Sequence, residues 1–330
     1  MSAGVATKPV SAGEIQGEYV LCVTPNLSLD ITAQVVNDSQ LEQDAALLAE
    51  TPGGKGANVA RFMSQLGRQA VSVGFIGGWT GRRIEELLAS EGVTSDSVAI
   101  GDQSRYFVST VDERGLRTRS LHFSGPQVTP AESETMLRIV RARATGQCRW
   151  VIIAGSLPRL LGDNFALSLA EAAGDVPVVL DGAGAPLLIA LGASPAILKI
   201  NRSELASIGY PEAVRSLDGV RRAIEEVRQV YSIPEIWVTL GAGGCLAATE
   251  SGTAHVTLPD MVARNSSGAG DCFLAGLLDA KLSGADLREQ AGYASALAAG
   301  SCELSVPCLP PRLRLEELRR KVRVDIEEFA

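Results

Sequence analysis

The chain has 330 residues, and hydrophobic residues make up 46% of it against 21% charged residues, which excludes wholesale disorder and allows a large buried core. Its formal net charge of -8 comes without a basic run, which argues against nucleic acid as a partner. No apolar run reaches membrane-spanning length, so we expect no membrane partner either.

The cysteine pattern bears on the compartment in which the protein works. Six cysteines are scattered along the chain without a C-x-x-C pair, and four of them lie among apolar or small residues, as buried thiols do. We therefore expect a reducing compartment, the cytoplasm. Residues 1–17 are polar and small and lack the apolar core of a signal peptide, so we interpret them as a flexible leader before a single domain at 18–330.

The first part of the chain mixes strand and helix patterns. We predict strands at 20–24, 29–36 and 71–76, a helix entered through glycines at 53–67, and a further helix at 82–89. The alternating segments 106–111 and 118–123, joined by a turn at 112–115, predict a hairpin. The segments at about 29–50 and 105–123 thus indicate a small β-layer, placed to act as a lid on an α/β core.

After Pro130, short apolar strands alternate with helical patterns. The predicted strands are 150–154, 176–180, 197–200 and 236–240. Buried strands of this kind indicate an α/β fold with a mostly parallel sheet covered on both faces. Ligands of such sheets bind at the carboxyl ends of the strands, and polar or glycine residues follow each of these four strands.

The most informative segment is Asn-Ser-Ser-Gly-Ala-Gly-Asp at 265–271, which leads into an apolar helix. Gly268, Ala269 and Gly270 leave the first N–H groups of that helix bare, so its N-terminus is a candidate anion site. If the anion is a transferring phosphoryl group, Asp271 is placed to accept the proton of the attacking hydroxyl. The alternative is an ordinary helix start, in which Asp271 only stabilises the helix dipole.

A second glycine cluster, Gly-Gly-Lys-Gly-Ala-Asn at 53–58, allows the backbone to approach a ligand closely. Asn58 falls in the first turn of the following helix, where its amide can bind hydroxyl groups. The cluster lacks the spacing of a Walker A loop. A plain helix-entry turn with a solvated Lys55 is the alternative.

Two further motifs allow both a structural and a functional interpretation. Thr-Leu-Gly-Ala-Gly-Gly at 239–244 either offers N–H groups to a nucleotide or forms a hairpin turn. In Lys-Ile-Asn-Arg-Ser-Glu at 199–204, Asn201 and Glu204 either form a capping box or lie near phosphates and Mg²⁺-bound water. The two histidines have no metal-ligand spacing, and no G-x-S-x-G elbow supports a serine hydrolase at Ser156.

Taken in order, these motifs form a specific set together with Asn-Leu-Ser-Leu-Asp at 26–30 and Ala-Gly-Ser-Leu-Pro at 154–158. Over residues 19–305 the chain resembles the ribokinase-like, phosphofructokinase-B type carbohydrate kinases, and most of all their phosphosugar branch. The resemblance implies a three-layer α/β/α fold with a mostly parallel central sheet and a small β-sheet lid that often makes a homodimer contact. It also implies transfer of the γ-phosphoryl group of ATP, with Mg²⁺, to a hydroxyl of a small-molecule sugar or sugar phosphate.

The resemblance implies roles for individual residues. Asp271 is expected to be the catalytic base, with the backbone of Gly268, Ala269 and Gly270 as the anion hole. The residues expected to bind the acceptor are Asp30, Gly53, Gly54, Lys55, Asn58, Arg105, Arg119 and Ser156. Those expected on the nucleotide and metal side are Lys199, Asn201, Glu204, Thr239, Gly241 and Gly244, with Glu204 reaching Mg²⁺ through water.

Departures from the family pattern concern mainly the acceptor. The Thr-Arg-x-Asn motif of the phosphosugar branch reads Ser-Arg-Tyr-Phe at 104–107, so its asparagine is lost. The first lid segment carries acids at Glu42, Asp44 and Glu50 in place of the usual basic residue, and Ser266 replaces a preferred threonine. A substrate phosphate would have to be met by Arg105, Arg117, Arg119 or Lys55.

Three hypotheses follow. The first is a kinase of a ketohexose phosphate, either fructose 1-phosphate or fructose or tagatose 6-phosphate. The second is a ribokinase-type kinase of an unphosphorylated sugar or nucleoside, which the acidic lid suggests. The third is a regulatory protein that binds sugar or nucleotide without turnover, against which the intact base and anion loop argue.

Overall fold

The computed structural model describes residue 15 and residues 17–35 and 44–328. The predicted leader at 1–17 lies outside this range except for Ile15 and Gly17, and so does Glu42. The strands are β1 (Tyr19–Thr24), β2 (Ser28–Val35), β3 (Ala45–Gly53), β4 (Gln69–Ile76), β5 (Thr94–Ser95), β6 (Val98–Ala99), β7 (Arg105–Val111), β8 (Arg117–His122), β9 (Cys148–Ala154), β10 (Val178–Asp181), β11 (Ile197–Asn201), β12 (Glu235–Thr239), β13 (Cys245–Thr249), β14 (Gly252–Thr257) and β15 (Arg323–Glu328). The helices are α1 (Lys55–Gln65), α2 (Gly78–Ser90), α3 (Pro130–Arg143), α4 (Phe165–Ala172), α5 (Gly184–Ala190), α6 (Arg202–Ser207), α7 (Leu217–Tyr231), α8 (Ala269–Leu282), α9 (Leu287–Cys302) and α10 (Arg312–Lys321).

Eleven of the described strands form one central sheet, in the order β15-β14-β13-β12-β11-β10-β9-β1-β4-β5, with β6 paired to β4. All pairings from β12 to β5 are parallel. The pairings of β13, β14 and β15 are antiparallel and extend one edge. The predicted, mostly parallel α/β sheet is confirmed, whereas the C-terminal strand β15 was not predicted.

The central sheet is buried on both faces because its strands are apolar at consecutive positions. In β1, Leu21 and Val23 contribute to one apolar cluster and Val20 and Cys22 to the other. The first cluster packs against α3, α4 and α7, and the second packs against α1, α8 and α9. Helices therefore cover both faces, which confirms the three-layer arrangement. A fully buried side chain such as Leu21 contributes about 1.5–3 kcal/mol relative to an exposed one.

A second sheet of four strands, which we call the small sheet, has the order β3-β2-β7-β8 among the described residues. Its two outer pairs are antiparallel, and β2 pairs with β7 in parallel. It is built from the two segments that the sequence predicts to form a β-layer. The pairing aligns Thr51, Asp30, Phe107 and His122 in one row across the four strands, so their side chains share one face. Among the described helices, none is long and apolar enough to cross a membrane.

Candidate active site

Two cavities open where the parallel strands end. The first cavity, of about 350 Å³, lies between the small sheet and the ends of β1 and β9, where Thr24 and Gly155 line it. The second cavity, of about 450 Å³, lies at the ends of β11 and β12, with Asn201 and Thr239 in its wall. Their position follows the general rule that ligands of open parallel sheets bind at the carboxyl ends of the strands.

The two cavities meet at a short boundary. Lys55, Glu204, Gly268 and Asp271 line both of them. A group bound in the first cavity can therefore contact a group bound in the second cavity at this boundary, where helix α8 begins.

The N-terminus of α8 is bare of side-chain caps. Gly268 precedes the helix with φ of +73°, a backbone conformation that favours glycine, and no side chain caps the helix. Ala269 N donates to Ser266 O at 3.3 Å and Cys272 N to Gly268 O at 2.8 Å. Within the described chain, the N–H groups of Gly268, Gly270 and Asp271 find no acceptor. They are available to an anion at the end where the helix dipole is positive.

Asp271 is held in place by a chain of side chains from α1. The carboxyl oxygen Oδ2 accepts a hydrogen bond of 2.8 Å from Nδ2 of Asn58. The amide of Asn58 is oriented in turn by Arg61, whose NH1 donates to Asn58 Oδ1 at 3.1 Å. Arg61 is buried and pairs with Glu91, with Nε 2.8 Å from Oε1. Asn58, expected to bind sugar hydroxyls, thus lines the first cavity and also contacts Asp271.

The protonation of Asp271 is set by its surroundings. Burial, followed by the nearby carboxylate of Asp181, raises the pKa of Asp271 to about 7. The ammonium groups of Lys199 and Lys55 and the hydrogen bond from Asn58 act in the opposite direction. A carboxyl group with a pKa close to the working pH is suited to general base catalysis.

Asp181, at the end of β10, joins two lysines beneath this boundary. Its Oδ1 lies 2.5 Å from Lys55 Nζ and its Oδ2 lies 2.8 Å from Lys199 Nζ. Burial by itself would raise the pKa of Asp181, but the two ammonium groups outweigh it and hold that pKa below its ordinary value. Asp181 is not among the site residues predicted from the sequence, although it is one of the polar residues that follow the buried strands.

Lys55 and Glu204 form the other half of this network. Glu204 Oε1 lies 2.5 Å from Lys55 Nζ, while Oε2 accepts from Asn201 N at 2.8 Å. Asn201 Oδ1 accepts from Glu204 N at 2.9 Å, so the capping box is present as well. Burial works to lower the pKa of Lys55, but the carboxylates of Asp181 and Glu204 outweigh it and raise that pKa. Lys55 is therefore not the solvated side chain of a plain helix-entry turn.

The donor groups at the boundary limit how a metal ion can bind. Across residues 17–35 and 44–328, no group of three or more His, Cys, Asp and Glu side chains is arranged to hold one. Both oxygens of Asp181 accept from lysines, and Glu204 is shared between Lys55 and a backbone N–H. This donor set fits Mg²⁺ bound through water and substrate phosphates, because Mg²⁺ usually keeps several waters.

The small sheet supplies one wall of the first cavity through the row of Thr51, Asp30, Phe107 and His122. Burial raises the pKa of Asp30 to about 6, although a hydrogen bond of 2.5 Å from the Ser28 hydroxyl opposes that shift. Gly53 does not line the cavity. A Cβ on Gly53 would lie 2.0 Å from Asp30 Oδ1, so glycine at this position leaves room for that carboxylate.

Basic and polar groups also line this cavity. Arg105 Nε donates to Asn26 O at 3.2 Å, and Asn26 Nδ2 donates to Ser156 Oγ at 3.0 Å. His122 packs its ring 4.7 Å from that of Phe107, and its imidazole makes no hydrogen bond with the part of the chain described. Burial and the charges of Arg105 and Arg117 lower the pKa of His122. Sequence reasoning considered His122 only as a metal ligand and did not place Asn26 in the site.

Most of the remaining expected residues lie in the two walls. Gly54 and Ser156 line the first cavity, and the residues that line the second include Lys199, Asn201, Thr239, Gly241 and Gly244. The segment 239–244 is also a hairpin turn between β12 and β13, so the structural interpretation of this motif is confirmed, whereas its nucleotide role stays a prediction. Arg119 is different, since it is exposed on β8 and lines neither cavity.

Known proteins share both the sequence pattern and the fold. Residues 24–310 match the pfkB family carbohydrate kinase profile. The chain belongs to this family. A PfkB carbohydrate kinase is an enzyme, which excludes the hypothesis of a regulatory protein without turnover.

Individual relatives agree with this assignment to the PfkB family. A 1-phosphofructokinase from Rhodobacter capsulatus is 31% identical over 275 residues, covering 82% of this chain and 86% of the relative. A 1-phosphofructokinase from Haloferax volcanii is 28% identical over 299 residues, covering 88% and 94%. The crystal structure of phosphofructokinase-2 from Escherichia coli with substrates and products superimposes with a TM-score of 0.82 at 23% identity, covering 92% of this chain and 98% of that chain.

Proposed function

We propose that this PfkB kinase transfers the γ-phosphoryl group of ATP to a hydroxyl of a ketohexose phosphate: fructose 1-phosphate, or fructose or tagatose 6-phosphate. The observation that carries the proposal is the boundary at which the two cavities share Asp271 and the start of α8. The two relatives named 1-phosphofructokinase support an acceptor that already bears a phosphate.

In this proposal the sugar lies in the first cavity and ATP in the second. The acceptor hydroxyl gives its proton to the carboxylate of Asp271 as its oxygen attacks the γ-phosphorus. The new O–P bond forms while the bond to the bridging β–γ oxygen breaks, and ADP leaves. The bare N–H groups of Gly268, Gly270 and Asp271 stabilise the charge on the phosphoryl oxygens, so this anion hole includes Asp271 N–H in place of that of Ala269.

The second cavity suits a nucleotide. The apolar side chains of Leu258, Met261 and Phe273 line it together with the polar strand ends, which provides a surface for a base and donors for phosphates. Lys199 and Lys55 are placed to bind the phosphate chain. Glu204 would hold Mg²⁺ through water, and that ion would neutralise charge on the β- and γ-phosphates.

Arg105 and His122 mark the end of the first cavity where we place the acceptor's own phosphate. Arg105 is half-buried and lies at the cavity wall, and a charge-assisted hydrogen bond to phosphate is worth about 1.5–3 kcal/mol. The ring of Phe107 in the same wall leaves the second candidate open, a kinase of an unphosphorylated sugar or nucleoside, because an apolar ring contributes nothing to phosphate binding.

A panel of acceptors tests the acceptor class. Sugar-dependent ADP release should be fastest with one of the three ketohexose phosphates. Arg105→Gln should raise KM for that sugar phosphate about tenfold or more and leave kcat/KM for the unphosphorylated sugar nearly unchanged. Arg114→Gln, which removes an exposed arginine from the β7–β8 turn, is the matched control and should behave as the wild type. Preference for unphosphorylated sugars across the panel would favour the second candidate.

We also propose that two copies of the chain associate through the small sheet. Leu47, Leu121 and Phe123 are 62%, 56% and 50% exposed there, which is unusual for large apolar side chains on a surface without a partner. Sedimentation equilibrium should give a dimer for the wild type, and Leu121→Glu should weaken that dimer. A wild-type monomer at micromolar concentration would contradict the proposal.

The cytoplasm is the compartment that we propose, on the basis of the cysteines. All six are free thiols, and four of them are buried. Burial raises the pKa of Cys245 to about 12, which keeps this thiol protonated and unreactive. Free thiols without disulfides are typical of reducing compartments.

A further inference from the structure

The turn of the β7–β8 hairpin contacts the segment that leads into α8. Arg117 N donates to Arg264 O at 2.9 Å, and Arg117 NH1 donates to Ser267 Oγ at 2.5 Å. The turn fits closely here, because a Cβ on the buried Gly115 would lie 2.2 Å from Ser305 Oγ. The small sheet therefore reaches the catalytic side of the molecule at Arg264, Ser267 and Ser305, of which only Ser267 lines a cavity, the first one.

We call residues 264–268 the catalytic loop, since they end at Gly268. The far side of this loop is fixed to the end of α9, where Arg264 N and Asn265 N donate to Cys302 O at 2.7 and 3.1 Å. The buried Asn265 fixes it further, as Nδ2 donates to Ser305 O at 2.9 Å and Oδ1 accepts from Ser267 N at 2.9 Å. The loop is thus anchored to the main body at its beginning.

The end of the catalytic loop is held differently. Ser267 precedes the left-handed Gly268, and its hydroxyl is bonded to Arg117 of the small sheet. Arg117 is exposed, so apolar burial does not account for its position, and ordering such a long side chain costs conformational entropy. Because Arg117 lines neither cavity, its guanidinium is committed to the loop and is not a wall of the acceptor site.

We propose that Arg117 is a positioning residue that holds Ser267, and through it the bare N–H groups of Gly268, Gly270 and Asp271, in the geometry for phosphoryl transfer. This inference rests on the proposed role of the α8 N-terminus. It does not depend on which sugar is the acceptor.

Kinetics of four variants and one control variant test the positioning role. With the best acceptor of the panel, Arg117→Gln and Ser267→Ala should each lower kcat about tenfold and leave KM for ATP nearly unchanged, as expected for the loss of one charge-assisted hydrogen bond. The double variant should be no worse than either single variant, because both remove the same contact. Arg117→Lys should recover part of kcat, and Arg114→Gln, on the same turn, should leave it unchanged. Additive losses, or no loss in Arg117→Gln, would overturn the proposal.

Amide hydrogen exchange provides a readout that needs no turnover. In Arg117→Gln the hydrogen-bonded amides of Ser267, Ala269 and Cys272 should exchange faster than in the wild type, while those of the α1 and α9 helices should not change. Equal exchange in Arg117→Gln and Arg114→Gln would overturn the inference. If instead exchange and kcat respond to Arg117 but Asp271→Asn keeps full turnover, the proposed role of Asp271 fails and the contact itself stands.

Discussion

Asp271→Asn is expected to lower kcat by a factor of about 10²–10⁴, because the amide cannot accept the proton of the attacking hydroxyl. The substitution keeps the size of the side chain and an oxygen for the hydrogen bond from Asn58. Nucleotide binding should therefore stay close to that of the wild type. Turnover is measured by ADP release with the best acceptor, and binding is measured by calorimetry with ADP.

The control is Asp260→Asn, which removes an exposed acid from the segment before α8 and should leave turnover unchanged.

The pH dependence of kcat/KM in the wild type provides a second test of the same role. In the proposed mechanism the ionised form of Asp271 is the active base, and its pKa is raised to about 7, so kcat/KM should fall about tenfold per pH unit below 7 and level off above it. Full turnover in Asp271→Asn would contradict the role of Asp271 as the base. So would a wild-type kcat/KM that begins to fall only near pH 4.

Asp181→Asn is expected to lower the free energy of unfolding by about 3–5 kcal/mol, because it leaves the buried ammonium group of Lys199 without its carboxylate partner. The side chain of Lys199 is only 2% exposed and has no other carboxylate partner among the described residues, whereas Lys55 keeps Glu204. Turnover should fall as well, since the two lysines face the nucleotide and acceptor sides. Denaturant unfolding measures the first effect, and ADP release measures the second.

A paired substitution separates the two effects. Asp181→Leu with Lys199→Leu removes both charges and should recover most of the stability, since apolar groups often replace a buried ion pair without loss. Its turnover should remain low, because no ammonium group is left at residue 199. A loss of less than about 1 kcal/mol in Asp181→Asn would mean that the pair is more hydrated than its burial indicates.

The sequence was sufficient for the features that depend on local pattern. Apolar strands followed by polar residues predicted the parallel sheet and the edge at which the two cavities open, and two glycines before an apolar helix predicted the N-terminus of α8. Such features follow from neighbouring residues, so one chain carries enough information.

Features that depend on distant pairing were not predictable in this way. Asp181 meets Lys55 only because β10 ends beside the start of α1, a separation of 126 residues. The sequence could not show which of Arg117 and Arg119 lies near the site. The pairing of β7 with β8 shifts register next to Thr110, and such a bulge changes which residues of the two strands lie opposite each other. His122 enters the site because its strand pairs it with Phe107, which spacing along the chain does not reveal.

The two sheets contribute different groups to the candidate site, and this separation affects how substrate specificity can change in such an enzyme. In the proposed mechanism the wall that faces the acceptor is a row of four side chains on four different strands, whereas the boundary groups belong to the central sheet and its helices. Exchanging one residue of that row alters the shape or polarity offered to a sugar without moving Asp271 or the start of α8. Single substitutions in this row can therefore change substrate specificity step by step, while the residues proposed to carry out phosphoryl transfer stay the same.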